Sequence, residues 1–375
     1  RAAVLSPYPQ PLYVTALGRS AETAPDGMTG EVAFFETIQD VEALAPGSLD
    51  GKIAYVSHKM GKTQDGSSYG YFGKVRFQGP SIAASKGAKA ILIRSVGTSD
   101  HRFPHTGGTR FADGIDPIPA AAVSIPDANQ LERIAERAKQ AGEPVRVSLT
   151  LTPKHIGETE SANIIVDIKG SERPDEIIVT GGHLDSWDLG TGAVDDGAGV
   201  AITAAAIKLI KDSGLKPKRT LRLIFWGAEE VGLLGARAYA QAHAGELTQH
   251  ITGSESDFGA DRIWKISHGD ISTEGEQVID QIARVLAPIG VARGGAGAAS
   301  GGPDLSPLNR RGLPVVRLVQ DGRDYFDLHH TPDDTLNKID PAKLDQNVAA
   351  YAAFLWIIGN TDVDFRPADP RDAGG

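Results

Sequence analysis

Between His183 and Asp196 the chain reads HLDSWDLGTGAVDD, which is one imidazole and four carboxylates spaced by glycines. The apolar run EIIVTGG leads into His183 and reads as a strand. Alternate residues of a continuing strand share a face, so Asp185 can accept a hydrogen bond from the imidazole nitrogen that faces away from a metal. Asp195 and Asp196 stand at the mouth of a helix beginning GAGVAITAAA, where helix capping is the plain alternative to ligation. A second stretch, TLRLIFWGAEEVGLLGARAYA, puts Glu229 and Glu230 side by side at a strand-to-helix junction. Adjacent carboxylates repel unless a cation sits between or beside them. The positive end of a helix accounts for one acid more readily than for two. A metal accounts for both if one glutamate binds it and the other moves protons. Asp257 in GSESDFGA and the pair His329 and His330 in YFDLHHTPDDTL complete the set. One histidine, Asp195, Glu230, Asp257 and a second histidine are five hard or borderline ligands. Two zinc-like ions sharing a bridging carboxylate need that many. Asp188 and Asp196 are left for support of the ligands or for capping.

The elements that must position these residues change character near Lys154. Before it come short strand-like runs (EVAFFE, GKIAYVS, AKAILIRS, PAAAVSI, VRVSLTLT), with two helical patterns at Ser81–Gly87 and Ala128–Ala141, as in a small α/β domain. DGSSYGYFGK reads as a loop. After it, the runs ANIIVDI, EIIVTGG, TLRLIFWG, RIWKIS and LPVVRLV alternate with helical patterns at Ala198–Lys211, Glu230–Ala244, Glu274–Leu286 and Pro341–Ile358. Alternation of this kind predicts an α/β fold whose mostly parallel sheet carries helices on both faces. Ligands of such sheets gather beyond the carboxyl ends of the strands.

Composition narrows the function. With 38 lysines and arginines against 48 acids in 375 residues the formal charge is −10, and no basic block stands out, which disfavours nucleic acid as a partner. The absence of cysteine excludes disulfides, thiolate metal sites and a cysteine nucleophile. No apolar run approaches the ~18 residues of a membrane span. The start, RAAVLSPYPQ, has neither an initiator Met nor an apolar signal core and reads as a processed or trimmed end, which suggests a periplasmic or secreted protein. GGAGAASGG at 294–302 has a dinucleotide-like scatter of glycines, but no strand feeds it and no acid follows at the required spacing, so it reads as a flexible loop. The other histidines lack a matching acid pattern.

The segments GGHLDSWDLGTGAVDDGAG, LRLIFWGAEEVGLLGA, ESDFG and YFDLHHTPDDT resemble the four signature segments of the co-catalytic zinc exopeptidases, a family that includes leucyl aminopeptidases and glutamate carboxypeptidase II. The likeness extends over nearly the whole chain. It implies two Zn2+ per chain, with His183 and Asp257 on one, Glu230 and His330 on the other, and Asp195 bridging them. It also implies Glu229 as general base, Asp185 as the acid that orients His183, and a cis peptide after Asp195. By the same resemblance residues 29–154 form a protease-associated-like insert, residues 155–375 form the catalytic domain, and residues 1–28 belong to that domain or to a linker. Relatives usually carry a further N-terminal helical segment. Some have a tyrosine before the last histidine ligand; His329 holds that place here and is a candidate contact for the oxyanion or the substrate. The expected reaction is hydrolysis of small peptides, dipeptides or N-terminal residues in particular, by a metal-bridged hydroxide. Two rivals are a zinc hydrolase of a non-peptide amide and a non-catalytic receptor-like ectodomain; the latter would have lost metal ligands, and none is missing here. Asp304, Arg310, Arg311, Arg323, Asp327 and Asp333 are all candidates for recognising a substrate terminus. Besides the peptide substrate, a homodimer stays open as a partner.

Overall fold

The computed structural model describes residues 1–297 and 299–367. Ala298, in the glycine-rich run, and residues 368–375, at the end of the expected catalytic domain, lie outside the described residues. The chain forms two compact units, Arg1–Glu158 with Phe326–Asp333, and Thr159–Tyr325 with the residues from Asp334 onward.

The first unit is built on β1 (Ala2–Ser6), β2 (Gln10–Leu12), β3 (Val14–Ala16), β4 (Met28–Phe35), β5 (Ile53–Val56), β6 (Ala90–Arg94), β7 (Ala120–Val123) and β8 (Arg146–Leu149). Their order in the sheet is β2-β1-β8-β4-β5-β6-β7-β3. The centre, β4 through β7, is parallel, and every residue of β5, β6 and β7 is buried, as expected for strands covered on both faces. Alternate residues go to opposite cores: Ile53, Tyr55 and Leu92 pack with the helix α5, while Ala54, Val56, Ile91 and Ile93 pack with α1 and α4. These helices, with the two short ones between, are α1 (Ile38–Glu42), α2 (Ser67–Phe72), α3 (Lys74–Phe77), α4 (Gly79–Ser85) and α5 (Ile125–Ala141). Two expectations change here. Residues 1–28, expected in the catalytic domain or a linker, supply β1–β3 and the start of β4 to this sheet. The stretch expected as a loop contains α2, whose aromatic residues Tyr69 and Phe72 pack against the core.

The second unit contains β9 (Ile164–Ile168), β10 (Arg173–His183), β11 (Arg219–Trp226), β12 (His250–Glu255), β13 (Ile263–His268), β14 (Ala292–Ala296) and β15 (Val316–Gln320). Its helices are α6 (Ala198–Asp212), α7 (Leu234–Ala242), α8 (Thr273–Leu286), α9 (Ser306–Asn309) and α11 (Pro341–Asn360); α10 (Tyr325–Leu328) leads into the segment that belongs to the first unit. The strands form the ribbons β12-β10-β11-β9 and β14-β13-β15, joined by a parallel bridge between Gly253 and Val315. β10 pairs in parallel with β11 and β12, whereas β9 and β15 run antiparallel to their neighbours, so the sheet is mixed. Ile178, Leu221 and Leu223 face α6, α8 and α11; Ile177, Val179, Ile224 and Trp226 face α7 and α9. The helical pattern expected from Glu230 starts only at Leu234, because residues 227–233 form a turn. The glycine-rich run, expected as a loop, begins within β14, which pairs with β13. Among the described residues no helix is long and apolar enough to cross a membrane.

Candidate metal centre

Three parallel strands deliver the acids to one edge of the second unit. His183 is the last residue of β10 and lies opposite Trp226, the last of β11. Gly181 lies opposite Glu255, the last of β12. The chain leaving β11 therefore presents Glu229 and Glu230, and the chain leaving β12 presents Asp257, beside His183. The turn after β11 is bracketed by Ala228 and Leu233, both with positive φ (59° and 58°). Such conformations are costly for side-chain-bearing residues and persist where the surroundings impose them, often at functional sites.

His183 Nε2 lies 3.2 Å from Asp195 Oδ1 and 3.6 Å from Asp257 Oδ1. One ligand atom from each of these three residues falls within 4.8 Å of the others. Asp196 holds the pair of segments in place. Its carboxylate accepts from His183 N–H at 3.0 Å and from Gly199 N–H at 3.1 Å, which ties the end of β10 to the first turn of α6. This close approach explains glycine at position 182, where a Cβ would lie 2.4 Å from Asp196 Oδ2. The Asp195–Asp196 peptide is cis. Asp334 secures the same turn, accepting from Val194 N–H at 2.6 Å and Asp195 N–H at 3.2 Å.

Asp185 plays a different part from the expected one. The imidazole Nδ1 of His183 meets the main-chain carbonyl of Asp185 at 2.7 Å, while the Asp185 carboxylate stands 3.8 Å away. That carboxylate instead accepts from Glu229 N–H at 2.9 Å and Glu230 N–H at 3.1 Å. Asp185 thus links the histidine, through its backbone, to the two glutamates, through its side chain. Trp187, in the same segment, donates its indole N–H to Glu230 Oε2 at 2.7 Å. Sequence reasoning passed over Trp187; its place between Asp185 and the Gly190–Gly192 turn was the available signal. Asp188 is exposed.

His329 and His330 lie on the segment that belongs to the first unit. His330 has φ +61°, and its Nδ1 lies 3.1 Å from the carbonyl of Thr106 and 3.3 Å from Arg76 Nη1. With Nδ1–H donated to that carbonyl, Nε2 keeps the lone pair a metal requires. His329 stacks on His330, and its carbonyl lies 2.8 Å from His105 Nδ1. Of the candidates for a substrate terminus, Asp304 is fully buried, its N–H donating to Glu255 Oε2 at 2.8 Å. Asp327 pairs with Lys62 at 2.6 Å, Asp333 with His101 at 2.5 Å, and Arg323 with Asp321. Arg310 and Arg311 are exposed.

The electrostatics of the second unit's cluster call for a cation. None of Asp196, Glu229, Glu255, Asp257 and Asp304 has a lysine or arginine partner among the described residues. Burial pushes the carboxyls of Glu229, Asp196 and Glu255 well above their ordinary range, and neighbouring carboxylates push the same way. Burial likewise raises Asp304 to about 7. Burial disfavours a charged His183, yet Asp257, Asp195 and Asp196 outweigh it and raise the imidazole well above its usual value. A cluster that recruits protons so strongly fits a divalent cation, and its imidazole and carboxylate donors are those zinc accepts.

Comparison with known proteins agrees with this chemistry. Residues 163–355 match the model of peptidase family M28. Carboxypeptidase Q of Bos taurus is 32% identical over 361 residues, covering 96% of this chain and 74% of the relative. A solved structure described as a peptidase M28 precursor from Shewanella amazonensis SB2B superposes with a TM-score of 0.94 at 47% identity, covering 98% of this chain and 82% of that one. BSAP, a zinc aminopeptidase from Bacillus subtilis, shares the fold at a TM-score of 0.62 and 20% identity, with coverages of 95% and 82%. The chain belongs to peptidase family M28. Its relatives by sequence include enzymes, carboxypeptidase Q among them, which favours a peptidase over the receptor-like alternative.

Proposed function

We propose that this protein is an exopeptidase that hydrolyses small peptides, dipeptides and N-terminal residues in particular, with two zinc ions per chain. The observation that carries the reading is the convergence of His183, Asp195 and Asp257 in a buried acidic cluster where, among the described residues, neither Asp257 nor Glu229 has a lysine or arginine partner. In this reading His183 and Asp257 hold one ion, Glu230 and His330 the other, and Asp195 bridges. Chain connectivity supports the share of His330: it lies four residues before Asp334, whose carboxylate binds the Asp195 N–H. When bound, such a pair of ions lowers the pKa of a shared water and polarises the scissile carbonyl. Glu229 takes the proton from the attacking water and returns it to the leaving amine, a role suited to a carboxyl raised by burial. Asp185 fixes the main chain of both glutamates, and His329 is the candidate hydrogen-bond partner of the oxyanion. Residues 29–154, together with the strands of residues 1–28 that join their parallel-centred sheet, form the protease-associated-like domain, and the second unit forms the catalytic one. A periplasmic or secreted location accords with the word "precursor" applied to the Shewanella relative.

The test is Glu229→Gln. The purified variant is expected to retain about two zinc per chain by metal analysis, as coordination at a two-ion site needs only the other ligands, and to lose turnover of free dipeptides. Retained activity refutes the assignment of the base. Comparing free dipeptides with N-blocked and C-amidated ones then settles which terminus is recognised.

A further inference from the structure

Away from the acidic cluster, the exposed Arg237, Arg310 and Arg311 line one solvent-open pocket of about 330 Å3 together with Pro307. Such a volume is at the small end of pockets that hold organic ligands. The chain has more acids than bases, yet among the described residues none of these arginines forms an ion pair. Arg310 donates to Ser306 Oγ at 3.3 Å and Arg311 to the carbonyl of Ala240, each with a single nitrogen. The guanidinium of Arg237 has no hydrogen-bond partner among the described residues. Arg237 also lies in the first turn of α7, which contains no acid and has no side-chain cap. A cation there runs against the helix dipole, which favours negative charge at that end. Three like charges around one cavity, one of them at the wrong end of a helix, are stabilised together by an anion.

We propose that this cavity is a binding site for a small phosphate-bearing molecule. A monocarboxylate brings two acceptor oxygens and one charge, enough for a single guanidinium fork. Three forks match a group with more oxygens and more charge, which phosphate supplies. Arg237 lies on α7, which follows the turn bearing Glu229, and Arg310 and Arg311 lie just past the end of the short helix α9, which follows Asp304, so an anion joining them ties the two segments together. This site is independent of how the metal centre is assigned.

The experiment measures thermal unfolding of the zinc-loaded protein with increasing inorganic phosphate at constant ionic strength, beside Arg237→Gln and Arg310→Gln. Both side chains are exposed, and melting without phosphate checks that the variants fold. Phosphate held at the metal centre shifts all three proteins equally, so only the difference reports the cavity. A saturable rise in wild-type melting temperature, with affinity at least about tenfold weaker in either variant, is the expected result. Equal shifts in all three proteins overturn the proposal. So does an equal, Arg237-dependent shift with N-acetylglycine, which marks a carboxylate site instead.

Discussion

Asp185→Asn separates two accounts of the turn that bears Glu229 and Glu230 with a nearly isosteric change. In the wild type each carboxylate oxygen accepts one main-chain N–H, from Glu229 at 2.9 Å and from Glu230 at 3.1 Å. Asparagine keeps one acceptor and turns an NH2 group toward the other N–H, so one charge-assisted bond becomes neutral and the other becomes a donor facing a donor. Charge-assisted bonds contribute ~1.5–3 kcal/mol and a stranded donor costs ~1–3 kcal/mol, so the turn loses roughly 2–4 kcal/mol of positioning. If that loss falls on the transition state, kcat/KM drops about 30- to 1,000-fold. His183 is anchored by the Asp185 carbonyl at 2.7 Å, which the substitution leaves intact, so zinc retention against a chelator stays within a fewfold of wild type. Steady-state kinetics on a dipeptide at saturating zinc, with chelator competition alongside, reads both quantities. Loss of zinc with undiminished kcat in the zinc-saturated variant refutes this reasoning and restores the carboxylate as the partner of the imidazole.

With Glu230 as a ligand, as proposed, Trp187→Phe removes the indole donor from its Oε2 and is expected to weaken zinc retention about 10- to 100-fold, since partners of metal ligands typically carry that much affinity; competition with a chromogenic chelator measures it. Gly182→Ala places a methyl 2.4 Å from Asp196 Oδ2 and 2.9 Å from the carbonyl carbon of Gly199, so the overpacked strand end should destabilise the protein by ~1–3 kcal/mol or more, read as a lower melting temperature. In the first unit, burial opposes ionisation of Glu132, but hydrogen bonds from Ser57, Tyr55 and Lys59 and the charge of Arg94 hold its carboxyl below the ordinary value. The unfolded chain therefore binds this proton first, and the stabilisation is complete above the ordinary carboxylate range and is lost as pH falls through the folded value. Glu132→Gln should flatten the acid limb of the stability curve, as followed by denaturant melts between neutral pH and the acid transition.

Strands dense in Ile, Val and Leu were legible because burial on both faces demands those residues, and β5, β6, β10, β11 and β15 all announce themselves. β12 did not. Its sequence, HITGSE, is polar by composition and yet buried at every position. Gly253 needs the space against Leu305 and the Val179 carbonyl, and the buried Ser254 carbonyl accepts from the Thr180 hydroxyl. Polarity paired inside a sheet leaves no hydrophobic pattern to detect. The start of α7 was missed for a related reason. GAEEVGLLG has helical composition, but anchoring Glu229 and Glu230 to Asp185 bends the backbone into positive φ on both sides. Here tertiary contacts override local propensity.

The same logic explains why candidate ligands could be named from sequence while the way their supports act could not, although Asp185 and Asp196 were named as supports. A ligand must be a histidine or a carboxylate, so residue type betrays it. A support need only present one donor or acceptor at the right place. The Asp185 carbonyl, the Asp196 carboxylate on two amides and the Trp187 indole do so through geometry that no spacing rule encodes. What makes the geometry reproducible is register. β10, β11 and β12 are parallel neighbours, so their carboxyl ends fall at one edge, and His183 opposite Trp226 fixes how far the glutamate turn can stray from the histidine. A slip of one residue in either pairing would turn the inward-facing side chains of that strand outward and carry its acids away from the cluster. Burial of Ile177 and Val179 on one face and Ile178 on the other therefore fixes the centre as firmly as any hydrogen bond within it.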